Sequence, residues 1–345
     1  MQKIKNGIWL LLDSSKPGGI ESHVLQLAAG LSRYGEDVRV VFLTRYGEHP
    51  LRAALHNRGI ATSTLDGRIT TLWKEIRKAC PSVLHTHGYK AGILGRLAAR
   101  LSGVSVVSTY HAGEHSRGRL AVYDWLDRQS ARLASGVFAV SPQIARRLPV
   151  AARQVDNFVD TTESGISSGG EVAFVGRLSE EKGPDIFLRL ASRLPGQDFH
   201  VYGGGPQSSL LSQSATSNVR FHGQQDDMTE VWSRIGLLVM PSRHEGLPMA
   251  ALEAMARGIP VLASDVGALG RLIDSGANGW LVKPEDLDAL IDRLNQWLAM
   301  SEQKRCSLSM AARRRVVQRF SAKTVIPRLI SSYCHSTAPQ RLTRN

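Results

Sequence analysis

The 345-residue chain is 42% hydrophobic and 21% charged, which excludes a disordered or fibrous protein, and its length suits two domains of about 150 residues better than one core. Three widely spaced cysteines, Cys80, Cys306 and Cys334, make neither a disulfide framework nor a metal-ligand pattern, and fit a reducing compartment. The net charge of +13 is uneven: residues 1–156 hold 22 Lys+Arg against 11 Asp+Glu, and the remainder 21 against 19, so the first half is expected to favour anionic surfaces, either nucleic acid or an acidic membrane leaflet, unless the charge merely solvates it.

In chain order, the run from Gly7 to Leu12 reads as a buried strand, because it is too short for a signal-peptide core and Asp13 stops it. Ile20–Tyr34 is helical, with Val24, Leu27, Ala28 and Leu31 on one face. Strand patterns follow at Val38–Leu43, Val83–His87, Val104–Tyr110 and Val137–Val140, and helical ones at Leu51–Arg58, Ala91–Leu101 and Ala121–Ala134. The polar, Gly/Ser-rich stretch 160–170 reads as a linker. Strands are then expected at Val172–Val175, Phe199–Tyr202, Val219–His222, Leu237–Met240 and Val261–Ala263. Helices are expected at Pro184–Ser192, Met249–Arg257, Leu287–Met300 and from Ser321 to about Tyr333. This repetition predicts an α/β protein of two Rossmann-like domains with parallel sheets: residues 1–158, a linker over 159–170, residues 171–320, and a final helix over 321–335 crossing back to the first domain. No stretch approaches the ~20 apolar residues needed to span a bilayer.

Ligands of open parallel sheets bind beyond the carboxyl ends of the strands, and four suggestive loops follow strands. Gly18 and Gly19 lie between a strand and a helix, where backbone amides can approach a phosphate, although an ordinary turn reads the same way. His111, in Thr-Tyr-His-Ala-Gly, could donate to a sugar hydroxyl or orient a reacting group. His85 and His87 stand at a similar strand end; with no Cys or carboxylate in ligand spacing, no metal site is expected. Arg177 and Lys182, in Val-Gly-Arg-Leu-Ser-Glu-Glu-Lys-Gly, could clamp a diphosphate, or could be solvated surface charge.

The fourth loop carries most weight: Met240-Pro-Ser-Arg-His-Glu-Gly-Leu-Pro-Met-Ala-Ala-Leu-Glu253. Glu245 lies in the loop and Glu253 in the helix, with seven residues between them. The amides of Gly246 and Leu247 stand at the helix start, where an anion or sugar oxygen is favoured, and Pro248 suits a first turn. One carboxylate on a loop and one inside a helix suggest a binding fork rather than the acid/base pair of a glycosidase.

This Glu-x7-Glu segment resembles the signature of the family 4 glycosyltransferases of GT-B fold. The Gly18-Gly19-x-Glu21, His111, Val140-Ser141, Asn157–Asp160, Arg177-x4-Lys182-Gly183, Gly203–Pro206 and Phe221-His222-Gly223 segments appear in that family's order over nearly the whole chain. The resemblance implies two lobes facing across a cleft and a retaining transfer from a nucleotide-diphosphate sugar, with no cofactor and no metal. It assigns Glu245 to the donor-sugar hydroxyls and Glu253 to the ribose. Arg177, Lys182 and Gly19 go to the diphosphate, Gly246, Leu247 and Pro248 to the sugar pocket, residues around Gly205 and His222 to the base, and His111 to the sugar near the reacting carbon. Two departures stand out: Ala268 and Arg271 occupy places that usually hold Gly and Glu, and Asn157-Phe158 replaces Asn-Gly.

The resemblance also implies a glycan or lipid-linked acceptor, a role in lipopolysaccharide or surface polysaccharide synthesis, and a cytoplasmic protein on the inner membrane face, with no nucleic acid as partner. Arg117, Arg119, Tyr123, Trp125, Arg128 and Arg132 mix basic and aromatic residues on one helix and the loop before it. They read either as a membrane patch or as a helix packing its aromatics inward. The competing readings are a GT-B epimerase or phosphorylase, a basic nucleic-acid-binding protein, and an inactive scaffold.

Overall fold

The computed structural model describes residues 4–16, 18–111, 118–162, 164–225 and 227–337. They form two compact α/β units. One holds the chain up to Asp156 together with the last helix from Ala322, and the other holds Asn157–Ser321. In the first unit, β1 (Ile8–Leu12), β2 (Val38–Phe42), β3 (Ala61–Thr64), β4 (Val83–His87), β5 (Ser105–Tyr110), β6 (Gly136–Ala139) and β7 (Arg153–Gln154) lie in the order β3-β2-β1-β4-β5-β6-β7. In the second, β8 (Glu171–Val175), β9 (Phe199–Tyr202), β10 (Val219–Gly223), β11 (Ile235–Met240), β12 (Val261–Ser264) and β13 (Gly279–Val282) lie in the order β10-β9-β8-β11-β12-β13.

All neighbouring strands pair in parallel. Each sheet reverses its winding once, between β1 and β4 and between β8 and β11, which opens a crevice at the carboxyl ends of those strands. Helices cover both faces, so central strands such as Ile8–Leu12 are buried throughout and read as unbroken apolar runs. In the second unit, Ala173, Leu238, Leu252 and Met255 build the core on one face, and Phe174, Phe187, Val239, Trp280 and Leu294 on the other.

Of the elements absent from the sequence reading, some are polar or marginal, while the helix Ile69–Ala79, which buries Leu72 and Ile76, and β13, Gly-Trp-Leu-Val, are apolar enough to have been marked. Strand β3, Ala-Thr-Ser-Thr, is an edge with no buried residue. The longest helix, Glu302–Arg319, buries only Leu308, Ala312 and Val316, a strip too narrow to show as an amphipathic face. The segment 160–170 is held against the second unit. Ser167 donates its N–H to Arg257 O and its hydroxyl to Ile235 O, Arg313 donates to Ser164 O, and a Cβ on Gly169 would lie 1.9 Å from Arg234 O.

Two buried polar systems organise the first unit. The Arg96 side chain, 1% exposed, donates to Ser108 Oγ, Asp127 O, Asp127 Oδ1 and Ser130 Oγ at 2.5–2.9 Å. It thereby pins the helix Arg119–Ser130 to the helix Tyr89–Ser102 and to β5. Burial pushes the Asp127 carboxyl up to about 6 even beside that guanidinium. His85, on β4, bonds Tyr333 Oη and Thr109 Oγ1, both at 2.7 Å, which fastens the last helix, Ala322–Thr337, to β4 and β5.

Burial, reinforced by His23, pushes His85 down to about 3. Its unfolded value is about 6.5, so below that pH the unfolded chain binds a proton that the folded chain refuses. Stability present above pH 6.5 is therefore lost as pH falls towards 3, at about 1.4 kcal/mol per pH unit for one group. Urea denaturation at pH 7, 6 and 5 should show this decline, and His85→Gln should make it shallower by about one proton's share. An unchanged slope would show that His85 titrates as in an unfolded chain.

Candidate functional site

In the second unit, the loops after β8 and β11 flank the point where the sheet reverses. After β8 the chain runs through Gly176 and Arg177 to a single 3-10 turn, Glu180–Lys182, then Gly183 and the helix Pro184–Arg193. After β11 it runs from Pro241 to Pro248, which caps the helix Met249–Ala256. The two loops touch at Gly183. Its φ is +66°, and a Cβ there would lie 2.1 Å from Pro241 O, so both the left-handed backbone and the space demand glycine.

Arg243 ties the loops together. Its Nη1 and Nη2 donate to the two carboxylate oxygens of Asp185 at 2.8 and 2.7 Å, its Nε to Glu285 Oε1 at 2.8 Å, and Nη1 also to Glu180 O at 2.9 Å. Its backbone N–H and that of His244 both reach Glu181 O. The fork on Asp185 holds that carboxyl below its usual range. Sequence reasoning missed this role: Arg243 stood in the motif, but its partners lie 58 and 42 positions away, which no local pattern reveals.

The result is a cation beside a carboxylate. Lys182 Nζ donates to Glu245 Oε2 at 2.7 Å, and Ser242 Oγ donates to Glu245 Oε1 at 2.8 Å. The Glu245 side chain is 3% exposed and that of Lys182 is 26% exposed. Arg177, on the same loop as Lys182, is exposed, with no ion pair to its guanidinium among the described residues.

The neighbouring predicted residues divide by what holds them. Gly246 O accepts from Ala268 N–H at 2.8 Å. Gly267, with φ +64°, passes so close that a Cβ would lie 2.3 Å from Glu245 O. Ala268, one of the departures, is thus a buried support of the loop. Leu247 sits in the core, and Asn157 Nδ2, a second residue given no site role from sequence, donates to its carbonyl at 2.6 Å. Glu253 is half-buried on the helix, one turn before Arg257, whose guanidinium is lowered by burial and raised by that carboxylate. Gly205 packs on Leu178, where a Cβ would meet Leu178 O at 2.4 Å, and its N–H is taken by Ser208 Oγ. His222 stacks on Tyr202 at 4.3 Å between centroids and bonds His200 at 3.0 Å.

Gly18, Gly19 and His111 belong to the first unit. Gly18 caps the helix Gly19–Arg33, and among the described residues no atom lies within 4 Å of a Cβ placed on Gly19; Pro17 lies outside the described residues. His111 follows β5, and its Nε2 lies 3.1 Å from Nδ1 of His87, the last residue of β4. His23, from the helix after β1, closes the group: one ring nitrogen of each of His23, His87 and His111 lies within 4.8 Å of the others. Sequence reasoning weighed His85 and His87 as a metal pair and missed His23, which the fold brings in from 64 residues away. Burial and the neighbouring imidazoles hold His87 and His111 well below the ordinary histidine value, so both rings are neutral at pH 7.

The helix Arg119–Ser130 does not pack its aromatics inward. Asp127 points into the Arg96 network, and the apolar side chains point out: Leu120 and Val122 are 59% exposed, Trp125 55% and Tyr123 48%. Leu97 and Leu101 of the adjoining helix are exposed as well. Arg132 is exposed, and Arg128 pairs with Asp124 at 2.9 Å. Arg117 and the side chain of Arg119 lie outside the described residues.

Comparison with known proteins places the whole arrangement. Residues 17–162 match the family described as Glycosyltransferase Family 4, and residues 169–300 the one described as Glycosyl transferases group 1. A phosphatidyl-myo-inositol mannosyltransferase of Mycolicibacterium smegmatis is 30% identical over 79% of this chain and 79% of its own. A UDP-Gal:α-D-GlcNAc-diphosphoundecaprenol α-1,3-galactosyltransferase of Escherichia coli is 27% identical over 66% of this chain and 68% of its own. Among solved structures, Alr3699/HepE of Anabaena in complex with UDP-glucose superposes with a TM-score of 0.83 at 20% identity, covering 95% of this chain and 100% of that one. Two tandem Rossmann-like sheets, a Glu-x7-Glu loop joined to a lysine loop, and this degree of identity make the chain a member of the family 4 glycosyltransferases, with the GT-B fold.

Proposed function

We propose that the protein is a retaining, metal-independent glycosyltransferase that moves a sugar from a nucleoside-diphosphate sugar to a hydroxyl of a lipid-linked or glycan acceptor. The acceptor belongs to lipopolysaccharide or surface polysaccharide synthesis, and the enzyme works at the inner face of the cytoplasmic membrane. The observation that carries the reading is the Lys182–Glu245 pair at 2.7 Å beside the open Arg177. The reading draws further support from the E. coli relative, whose name specifies a UDP-sugar and a diphosphoundecaprenol-linked acceptor, and from the UDP-glucose complex of the Anabaena protein.

In this mechanism Arg177 presents a planar fork and Lys182 a point charge to the diphosphate, and together they take up the charge that builds as the sugar–phosphate bond breaks. The amides of Gly246 and Leu247, at the start of the helix Met249–Ala256, add partial positive charge. Glu245 already accepts one hydrogen bond on each oxygen, so it orients the donor's hydroxyls through its remaining lone pairs and is no free base. Glu253 holds the ribose. Configuration is retained because the acceptor oxygen attacks on the face from which phosphate departs, and its proton passes to the departing phosphate oxygen. With Nε2 of His111 engaged by His87, its Nδ1–H is left to donate to the sugar. Gly18 and Gly19 contribute amides to the diphosphate, and the segments at Gly205 and His222 flank the base.

The outward-facing helix is the membrane contact. Its exposed Leu, Val, Tyr and Trp side chains exceed what a solvent face needs, and the basic first half supplies the attraction to anionic lipid.

Three outcomes test this. Glu245→Ala and Lys182→Ala should each cut turnover by about 10²–10³-fold, the scale for a group that meets charge in the transition state, with far-UV circular dichroism unchanged. Full turnover of both folded variants with the true donor, found by thermal-shift screening of uridine and guanosine diphosphate sugars, would overturn the site. Arg243→Lys keeps the charge but cannot reach Asp185 and Glu285 together; it should lower kcat/KM at least about tenfold, or ~1.4 kcal/mol, and wild-type kinetics would deny Arg243 its positioning role. Leu120→Ser with Trp125→Ser should weaken partition onto anionic vesicles by about tenfold or more, and unchanged sedimentation with the vesicles would refute the patch.

A further inference from the structure

We propose that His23, His87 and His111 form a binding site for a divalent d-block cation of the zinc class. The three residues come from separate segments: the helix after β1, the end of β4 and the first position after β5. β1, β4 and β5 are adjacent in the sheet, so their carboxyl ends lie side by side, at the point where the winding reverses. One nitrogen of each ring lies within 4.8 Å of the others, and His87 Nδ1 and His111 Nε2 share a hydrogen bond at 3.1 Å. Zn–N bonds of 2.0–2.1 Å at tetrahedral angles set ligand nitrogens about 3.3 Å apart. The three nitrogens therefore stand within about 1.5 Å of the spacing a three-histidine site needs.

His85 provides the internal contrast. It shares the same strand and both its ring nitrogens are bonded, to Tyr333 and Thr109, as a structural histidine should be. His87 is as deeply buried, yet its Nε2 has no hydrogen-bond partner among the described residues. A buried unpartnered nitrogen costs on the order of 1–3 kcal/mol, and it lies in a cluster of three imidazoles with no carboxylate among the candidate ligands. An all-imidazole set suits Zn²⁺, Co²⁺, Ni²⁺ or Cu²⁺ and disfavours Mg²⁺ and Ca²⁺, which require oxygen. His111 is only half-buried, which makes it the member of the cluster nearest solvent. A cation held through His111 Nε2 leaves in place the Nδ1–H that the reading above gives to the sugar. The site itself stands apart from that reading.

Cobalt(II) is the probe, because tetrahedral cobalt shows intense visible bands that the hexaaqua ion lacks. The full chain should develop these bands to saturation at one equivalent of Co²⁺, and one equivalent of Zn²⁺ should bleach them. His23→Ala should weaken binding about 100-fold or more, whereas His56→Ala with His335→Ala, both exposed, should leave it unchanged. Should His23→Ala not fold, imidazole NMR of the wild type decides: Zn²⁺ should shift three histidines and leave His85 in place. Featureless spectra at stoichiometric cobalt, bands that survive in folded His23→Ala, bands lost with His56 and His335, or ring signals unmoved by zinc would each overturn the proposal.

Discussion

The contact between the β8 and β11 loops is the constraint from which the candidate site follows. Gly183 leaves no room for a side chain against Pro241 O, and Arg243 spans Asp185, Glu285 and Glu180 O. With both loops fixed, Lys182 and Glu245 have one place to be, and their 2.7 Å contact needs little further ordering. Organised charge of this kind is worth more to a reaction than mobile charge, because no reorganisation is left for the moment when charge develops. The loop also has a floor: Gly267 and Ala268 lie under Glu245 and Gly246, and Asn157 holds Leu247 O.

A second consequence of buried polarity appears in the first unit. Arg96 is fully inside, so it requires partners, and Asp127 and Ser130 supply them from the helix Arg119–Ser130. Removing one partner of such a pair strands a buried charge, a loss of about 3–5 kcal/mol. The helix is therefore oriented by its one buried acid, with Leu120, Val122, Tyr123 and Trp125 left on the outside. A composition count makes that helix ordinary; its rotation about its own axis leaves its apolar side chains exposed.

Much of the fold was legible because covered parallel strands leave continuous apolar runs. Ile8–Leu12, Val83–His87, Phe199–Tyr202 and Leu237–Met240 could be marked from residue type alone. The polar edge strand β3 and the arginine-rich helix Glu302–Arg319 were not legible, since neighbours rather than local pattern stabilise them; β13, Gly-Trp-Leu-Val, has an apolar run that is legible but short. The stretch 160–170 has a linker's composition, yet the Ser167 N–H and hydroxyl, bonded to Arg257 O and Ile235 O, and the Ser164 carbonyl, bonded by Arg313, tie it to the second unit.

The amino-acid sequence by itself determined the two-sheet class, the ordered motifs and the family to which they belong, because strand periodicity and loop chemistry are local properties. Only the tertiary structure decided that Arg243 clamps the loops and that the helix Arg119–Ser130 faces its aromatics outward. It alone also put His23 beside His87 and His111. Each of these is a meeting of side chains far apart in the chain. Their encounter is set by strand order and packing, which no window of sequence contains.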